Sequence, residues 1–531
     1  MLRKVYNMNF ISSIEETLNT TKHKEKTFSE NGCIMYKQTK HAINDMAFNL
    51  AELRNSSFKE IGEQFAKVFY EEGVETSCKF FFWVSDILEG AGERNITKGI
   101  MKWIAENYPN KFKKIVKFIP KYNRWDTLIL AADPQFNDSI ASREAALDII
   151  KLQFIEDLRK INTQESCSLL AKWMPSENAS SKETRRRARQ LMEDLNITPR
   201  NYRHGLAMLR NKLHVVECDM SANNWSDIKY EHVPSKANLN YANAFMRHDE
   251  ERRKEYLASL AKGETKINSK TLAPYEIVRD YKVSYLAIKP YDEVLEQLWK
   301  NLPNYQLKNT LVVRDGSGSM TDRCTGNTTC LDVATAVAIY AAEHNSKEWK
   351  DKFITFSSHP EFVDMSHCED LHSKLMLCSR YGDCSNTDMY ATMKLILDVA
   401  RRNRYTQAQM PETILIISDM AFDAAPTSYY TSLWKYEHGS FNYDKTLFEN
   451  IQREYRAAGY KLPKVVFWNV NARGTTTVPI QENELGMGLI SGFSTNIFKM
   501  VMSNKLDPYE QLMEILNSER YKPVEIALQA R

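Results

Sequence analysis

Residues 310–320 read Thr310-Leu311-Val312-Val313-Arg314-Asp315-Gly316-Ser317-Gly318-Ser319-Met320, and residues 413–419 read Thr413-Ile414-Leu415-Ile416-Ile417-Ser418-Asp419. Each is a short apolar, largely β-branched run that ends in an aspartate. Runs of that kind suit strands buried on both faces of a parallel sheet. Around them the apolar spacing predicts an Ala-rich helix at 331–344, strands at 352–356 and 361–365, and helices at 388–401 and 444–458. A strand at 464–469 and a closing helix at 496–502 complete the pattern. Strands alternating with helices predict a doubly wound, Rossmann-like sheet. Such sheets bind ligands outside the carboxyl ends of their strands.

The end of the first strand also carries chemistry. Asp315, Ser317 and Ser319 supply one carboxylate and two hydroxyls at alternate positions, and the intervening glycines permit a tight backbone path around a small ion. Asp419 ends the 413–418 strand at the same expected edge, and Thr387 lies in the loop before the 388–401 helix. A Ser/Gly turn with Ser319 or Thr321 capping the next helix is the structural alternative, but it leaves Thr387 and Asp419 unexplained. A haloacid-dehalogenase-type phosphatase needs an aspartate where Ser317 stands, and a phosphate loop needs Gly-Lys-Ser/Thr, which is absent.

Over residues 305–505 the pattern resembles the von Willebrand factor A family and its metal-ion-dependent adhesion site. That family carries Asp-x-Ser-x-Ser after the first strand, then a loop threonine, then an aspartate after a later strand. The resemblance makes Asp315, Ser317, Ser319, Thr387 and Asp419 the expected metal ligands. Oxygen donors with only two acids suit Mg2+, with Mn2+ or Ca2+ as alternatives. In the family a ligand carboxylate fills the metal's open position, and no nucleophile with its own base stands nearby, so a non-catalytic role is expected.

Before residue 300 the periodicity is helical: near 43–53, then 58–72, 76–88, 95–107, 111–119, 141–160, 166–173, 182–194, 201–212, 238–261 and 291–299, separated by Gly and Pro breakers. This predicts an N-terminal extension (1–38), an α-helical bundle or HEAT-like solenoid (39–300) and the A-like domain (305–531). Two segments of the helical part are basic and aromatic, 111–125 and 182–212. Cations for phosphates and rings for unstacked bases are what RNA binding uses. Arg94, Lys113, Lys114, Lys117, Tyr122, Arg124, Arg185, Arg186, Arg187, Arg189 and Arg203 are the candidate contacts. The alternative is a solvated basic face with its aromatics in the core.

Gly92-Glu93-Arg94, Tyr122-Asn123-Arg124-Trp125-Asp126, Ala171-Lys172-Trp173-Met174-Pro175-Ser176 and Asn240-Tyr241-Ala242-Asn243-Ala244-Phe245 together resemble the Ro ribonucleoprotein (TROVE-module) superfamily. They are nearest to uncharacterised Ro-related proteins with the same two-part layout, found in cells and large viruses. The resemblance implies an RNA-binding ring closed by an A-type domain. A scaffold whose metal site captures a partner's Asp or Glu is the alternative.

Composition bounds these readings. The chain has 531 residues, 43% hydrophobic and 26% charged, with a net charge of +3, which excludes extensive disorder and a protein coated in positive charge. Nine cysteines at irregular spacing fit reduced thiols better than a disulfide framework. No run of eighteen apolar residues and no secretory leader is visible. The expectation is a cytoplasmic protein without a membrane partner, with a monomer as the simplest state.

Overall fold

A computed structural model describes residues 26–28, 34–269, 271–283, 287–356, 360–381, 389–421, 447–470, 478–479, 487–502 and 507–530. The first helices are α1 (Ala42–Phe48) and α2 (Phe58–Ser85). The two helices expected at 58–72 and 76–88 form this one kinked α2. Its break falls at Gly73, where φ is +78° and nothing surrounds the missing Cβ. Ser57 and Glu60 close a reciprocal capping box at its start. Helix α3 (Arg94–Asn107) lies against α2. Gly99 permits that approach, because a Cβ there would come within 2.6 Å of the Ile61 side chain.

The helix expected at 182–194 spans Lys182–Asp194. The one expected at 238–261 divides into Ser235–Asn240, Ala242–His248 and Glu250–Ala261. At the second break Asp249 accepts bonds from Tyr230 Oη and Arg252 Nη1, both at 2.8 Å. The periodicity missed Trp125–Ala132 and α4 (Pro274–Tyr281).

The C-terminal sheet has strands β1 (Thr310–Asp315), β2 (Lys352–Phe356), β3 (Phe362–Asp364), β4 (Thr413–Ser418), β5 (Lys464–Asn469) and β6 (Met487–Ser491). Their order is β6-β5-β4-β1-β2-β3, parallel except for β3, which runs antiparallel to β2 at the edge. Strand order therefore reverses between β1 and β4. Strand β6 was not expected, because glycine interrupts its apolar run at Gly488.

Alternation along the strands buries both faces. Leu311, Val313, Ile414, Ile416, Val465 and Phe467 join Met393, Leu397, Phe448 and Ile451 in one core. Val312, Leu415, Ile417, Val466 and Trp468 join helix α5 (Cys330–Glu343) in a second core, continuous with that of the helical region. Beside it lies α6 (Leu371–Cys378).

After the sheet the chain returns to the helical region. Helices α7 (Pro508–Leu516) and α8 (Lys522–Gln529) pack on α2, which they reach past β6. Arg520 forms a forked pair with buried Asp86 at 2.8 and 2.9 Å, and Tyr122 Oη donates to the Arg520 carbonyl at 2.6 Å. Among the described residues no helix is long and apolar enough to cross a membrane.

Candidate metal centre

Asp315 ends β1 and Asp419 follows the last residue of β4. Strand order reverses between these two strands, and open α/β sheets hold ligands at the carboxyl ends of their strands beside such a reversal. Asp315 is 0% exposed and Asp419 3%. Asp315 Oδ1 accepts the Ser317 amide at 2.9 Å, which folds the Gly316 turn back onto the strand end. That turn brings Ser317 Oγ within 3.0 Å of Ser319 Oγ. Two carboxylates and two hydroxyls thus meet at one edge.

Ser418, which the sequence reading did not single out, ties the two strands together. Its hydroxyl donates to Asp315 Oδ2 at 2.5 Å and accepts the Met420 amide at 3.0 Å. Met420 has φ +65°, a conformation that costs a non-glycine residue energy and that recurs at functional sites. The signal was available in principle: Ser418 is the one polar residue in the apolar part of β4, directly before the aspartate.

The electrostatics suit a cation. Burial pushes the Asp315 carboxyl well above its ordinary range, and the neighbouring Asp419 charge pushes it further, while the Ser418 and Ser317 hydrogen bonds pull it back. Among the described residues no Lys or Arg forms an ion pair with Asp315. Burying two carboxylates beside each other makes it costly to keep both charged, and a divalent ion between them would offset that cost. The donor set therefore fits a hard cation, with Asp315, Ser317, Ser319 and Asp419 able to hold it. Thr387 lies outside the described residues.

The helical region meets the carboxyl ends of β5 and β6. Asn469 Nδ2, at the end of β5, donates to the Phe48 carbonyl at 3.0 Å, and the Ala51 amide donates to Ser491 Oγ, at the end of β6, at 3.1 Å. Arg54 forks onto buried Glu93 at 2.6 Å in both bonds and stacks over Phe493 at 3.4 Å. Glu93, the middle of the Gly-Glu-Arg motif, thus holds the Arg54 side chain that reaches across to the sheet region.

The RNA candidates scatter. Tyr122 is 0% exposed and packs between Phe82 and Tyr521, so its ring offers no face to a base; this corrects the sequence expectation. Lys114 donates to the Leu528 and Ala530 carbonyls. Arg185 caps the Ala179 and Ser180 carbonyls. Arg186 and Arg187 share Asp133 and Glu183, Arg203 pairs with Glu177, and Arg124 pairs with Asp126 and stacks on Trp173. Arg94, Lys113, Lys117 and Arg189 are exposed.

A second cluster, His41, Glu71 and Glu72, brings three ligand-type atoms together near the surface. Each already has a local task. His41 stacks on Tyr509, Glu71 accepts the Ala42 amide, and Glu72 accepts the Tyr509 hydroxyl at 2.8 Å.

The fold thus defines a class: an α-helical region joined to a mostly parallel α/β sheet, with two carboxylates and two hydroxyls at the ends of the strands where strand order reverses. Residues 309–526 match the family described as domain of unknown function DUF7788, and residues 151–314 match domain of unknown function DUF2828. The two matches overlap on β1. The chain is also similar to an uncharacterized protein of Acanthamoeba polyphaga mimivirus, 27% identical over 534 residues, covering 94% of this chain and 88% of that one.

Proposed function

We propose that the sheet region is a von Willebrand factor A-type domain in which Asp315, Ser317, Ser319, Thr387 and Asp419 hold one divalent cation, Mg2+ first by the hardness of its ligands. The protein would act as a non-catalytic binding protein whose site takes a carboxylate from a partner. The observation that carries this reading is the convergence of two buried carboxylates and two hydroxyls at the strand-order reversal. A bound cation supplies a positive centre with room for an oxyanion. Around it Asp315 and Asp419 contribute charge, Ser317 and Ser319 contribute neutral oxygens, and Ser418 orients Asp315. No described side chain beside the site combines a nucleophile with a base, so hydrolysis is not part of the reading.

The test is calorimetric titration of the full chain with Mn2+ and Mg2+. One saturable site per chain is expected, and Asp315→Ala should abolish it. An unchanged isotherm in that variant would sink the metal assignment. Retention of an Asp-containing peptide with Mg2+ but not with chelator would then support carboxylate capture.

Ro-like RNA binding is the second reading, favoured by the exposed Arg94, Lys113, Lys117 and Arg189. It predicts binding of structured RNA that weakens steeply with salt and does not depend on the metal.

A further inference from the structure

The helical region holds an open pocket of about 480 Å³. Two pieces of chain form its walls. One is the turn Tyr230–His232 with Lys229 before it, and the other is the helix Glu250–Ala261. Arg252, Glu255, Tyr256 and Ser259 line the pocket at spacings of three and four, so they share one face of that helix. Thr265, past the helix end, completes the lining.

The two ends of this pocket differ in charge. Arg252 Nη2 donates to the Ile228 carbonyl at 2.8 Å, and Nη1 donates to the Trp225 carbonyl at 3.0 Å and Asp249 Oδ2 at 2.8 Å. Those bonds set Lys229 beside the start of the helix. At the far end, Asn268 Nδ2 donates to the Glu231 carbonyl at 3.4 Å, and Tyr256 Oη donates to the Lys266 carbonyl at 3.2 Å. Ser259 has one hydroxyl proton, and the Tyr256 carbonyl takes it at 2.7 Å. The 2.6 Å contact between Ser259 and Thr265 therefore uses the threonine's proton, and Thr265 offers the pocket lone pairs only. One end thus carries two cationic side chains, and the other a carboxylate and an acceptor oxygen. Glu255 adds a second carboxylate one turn along from Arg252. Between residues 252 and 259 the helix advances about 10 Å.

A buried charge strengthens the positive end. Tyr230 and Tyr256 stack with ring centres 5.5 Å apart, and the Arg253 guanidinium lies 4.8 Å from the Tyr230 centroid. Arg253 is 0% exposed; Nη1 donates to Asn238 at 3.1 Å, while Nε and Nη2 have no hydrogen-bond partner. Among the described residues no carboxylate forms an ion pair with it. A buried guanidinium so placed raises the potential around Tyr230, and with it the attraction for an oxyanion beside Lys229.

We propose that this pocket binds a small zwitterion, with its oxyanion at the Lys229–Arg252 end and its ammonium group at the Glu231–Thr265 end. The site is separate from the cation site and does not rest on the metal reading. It lies within the residues that match DUF2828.

The experiment titrates the full chain with 6-aminohexanoate, hexanoate and hexylamine, followed by ligand-observed proton NMR in the presence of chelator. 6-Aminohexanoate should saturate the protein at millimolar concentration and bind about tenfold more tightly than either single-ended compound. Lys229→Gln should remove its advantage over hexylamine, and Glu231→Gln its advantage over hexanoate. Both side chains are exposed, so both variants should melt with the wild type. No saturation by 6-aminohexanoate, equal affinity for the three compounds, or wild-type affinity in both variants would overturn the proposal.

Discussion

Ser418 does two things with one hydroxyl: it holds Asp315 in place and it accepts the amide of a residue in a left-handed conformation. The two aspartates were legible because each ended a strand-like run. The serine was hidden because a hydroxyl at a strand end is ordinary until its partners are known. Tyr122 fails in the opposite way. An aromatic among lysines looked like a base-stacking residue, but helical spacing turns it inward while the lysines stay out. Burial of acids also sets a pH response. Glu52, in the segment that covers the ends of β5 and β6, is pushed up to about 7 by desolvation. A raised carboxyl means that the native state holds more protons than the unfolded chain between the two pKa values. Stability should therefore fall as pH rises from about 4.5 to about 7 and level off above. Glu52→Gln should flatten that slope and be about 1 kcal/mol more stable than wild type at pH 8, once solvent screening is discounted. Guanidinium melts at pH 5 and pH 8 would show it, and equal slopes in both proteins would refute it.

Elements are placed by a few buried polar contacts as much as by apolar faces. Glu296 is 1% exposed; it takes two amides at the start of α6 and the Tyr281 hydroxyl at 2.6 Å, so one carboxylate joins α4, α6 and its own helix Glu293–Lys300. A buried charge at a helix start that accepts three hydrogen bonds is worth more than a surface pair. Glu296→Gln should cost about 2 kcal/mol, since an amide cannot accept at both ends. A chemical denaturation midpoint indistinguishable from wild type would count against it. Strands β1, β2, β4 and β5 were readable because both faces are apolar. Strand β6 was not, because glycine at 488 lowers the β signal at a position that packs close to Gln511. The 238–261 periodicity continued through Tyr241 and Asp249, where the backbone leaves helical geometry, because spacing of apolar residues does not register a break that keeps the same face inward.

Across the molecule the two regions share one apolar core and are laced by polar contacts between residues far apart in sequence. The sequence divided the chain near residue 300 by its change of period, and the helical and sheet regions lie on either side of that point. Nothing local marked the return of 507–530 to α2, since short amphipathic helices do not reveal which surface they will cover. Arg520→Ala would leave buried Asp86, which is 0% exposed, without its forked partner. Breaking a buried pair from one side should cost about 3 kcal/mol, seen as a lower melting temperature with the Mn2+ isotherm unchanged. A shift of less than a degree would show that the C-terminal helices dock by apolar contact alone.

The bond between Tyr122 and Arg520 spans 398 residues of chain. Ribosomes add about 5–20 residues per second, so the surface of α2 that the last helices cover waits about 20–80 s after Tyr122 is made. During that interval Phe82, Tyr122 and their neighbours lack their final cover, and the chain cannot reach its native core by folding in the order it is synthesised. Truncation before residue 507 should therefore leave an apolar helical surface without its cover and lower the yield of folded protein.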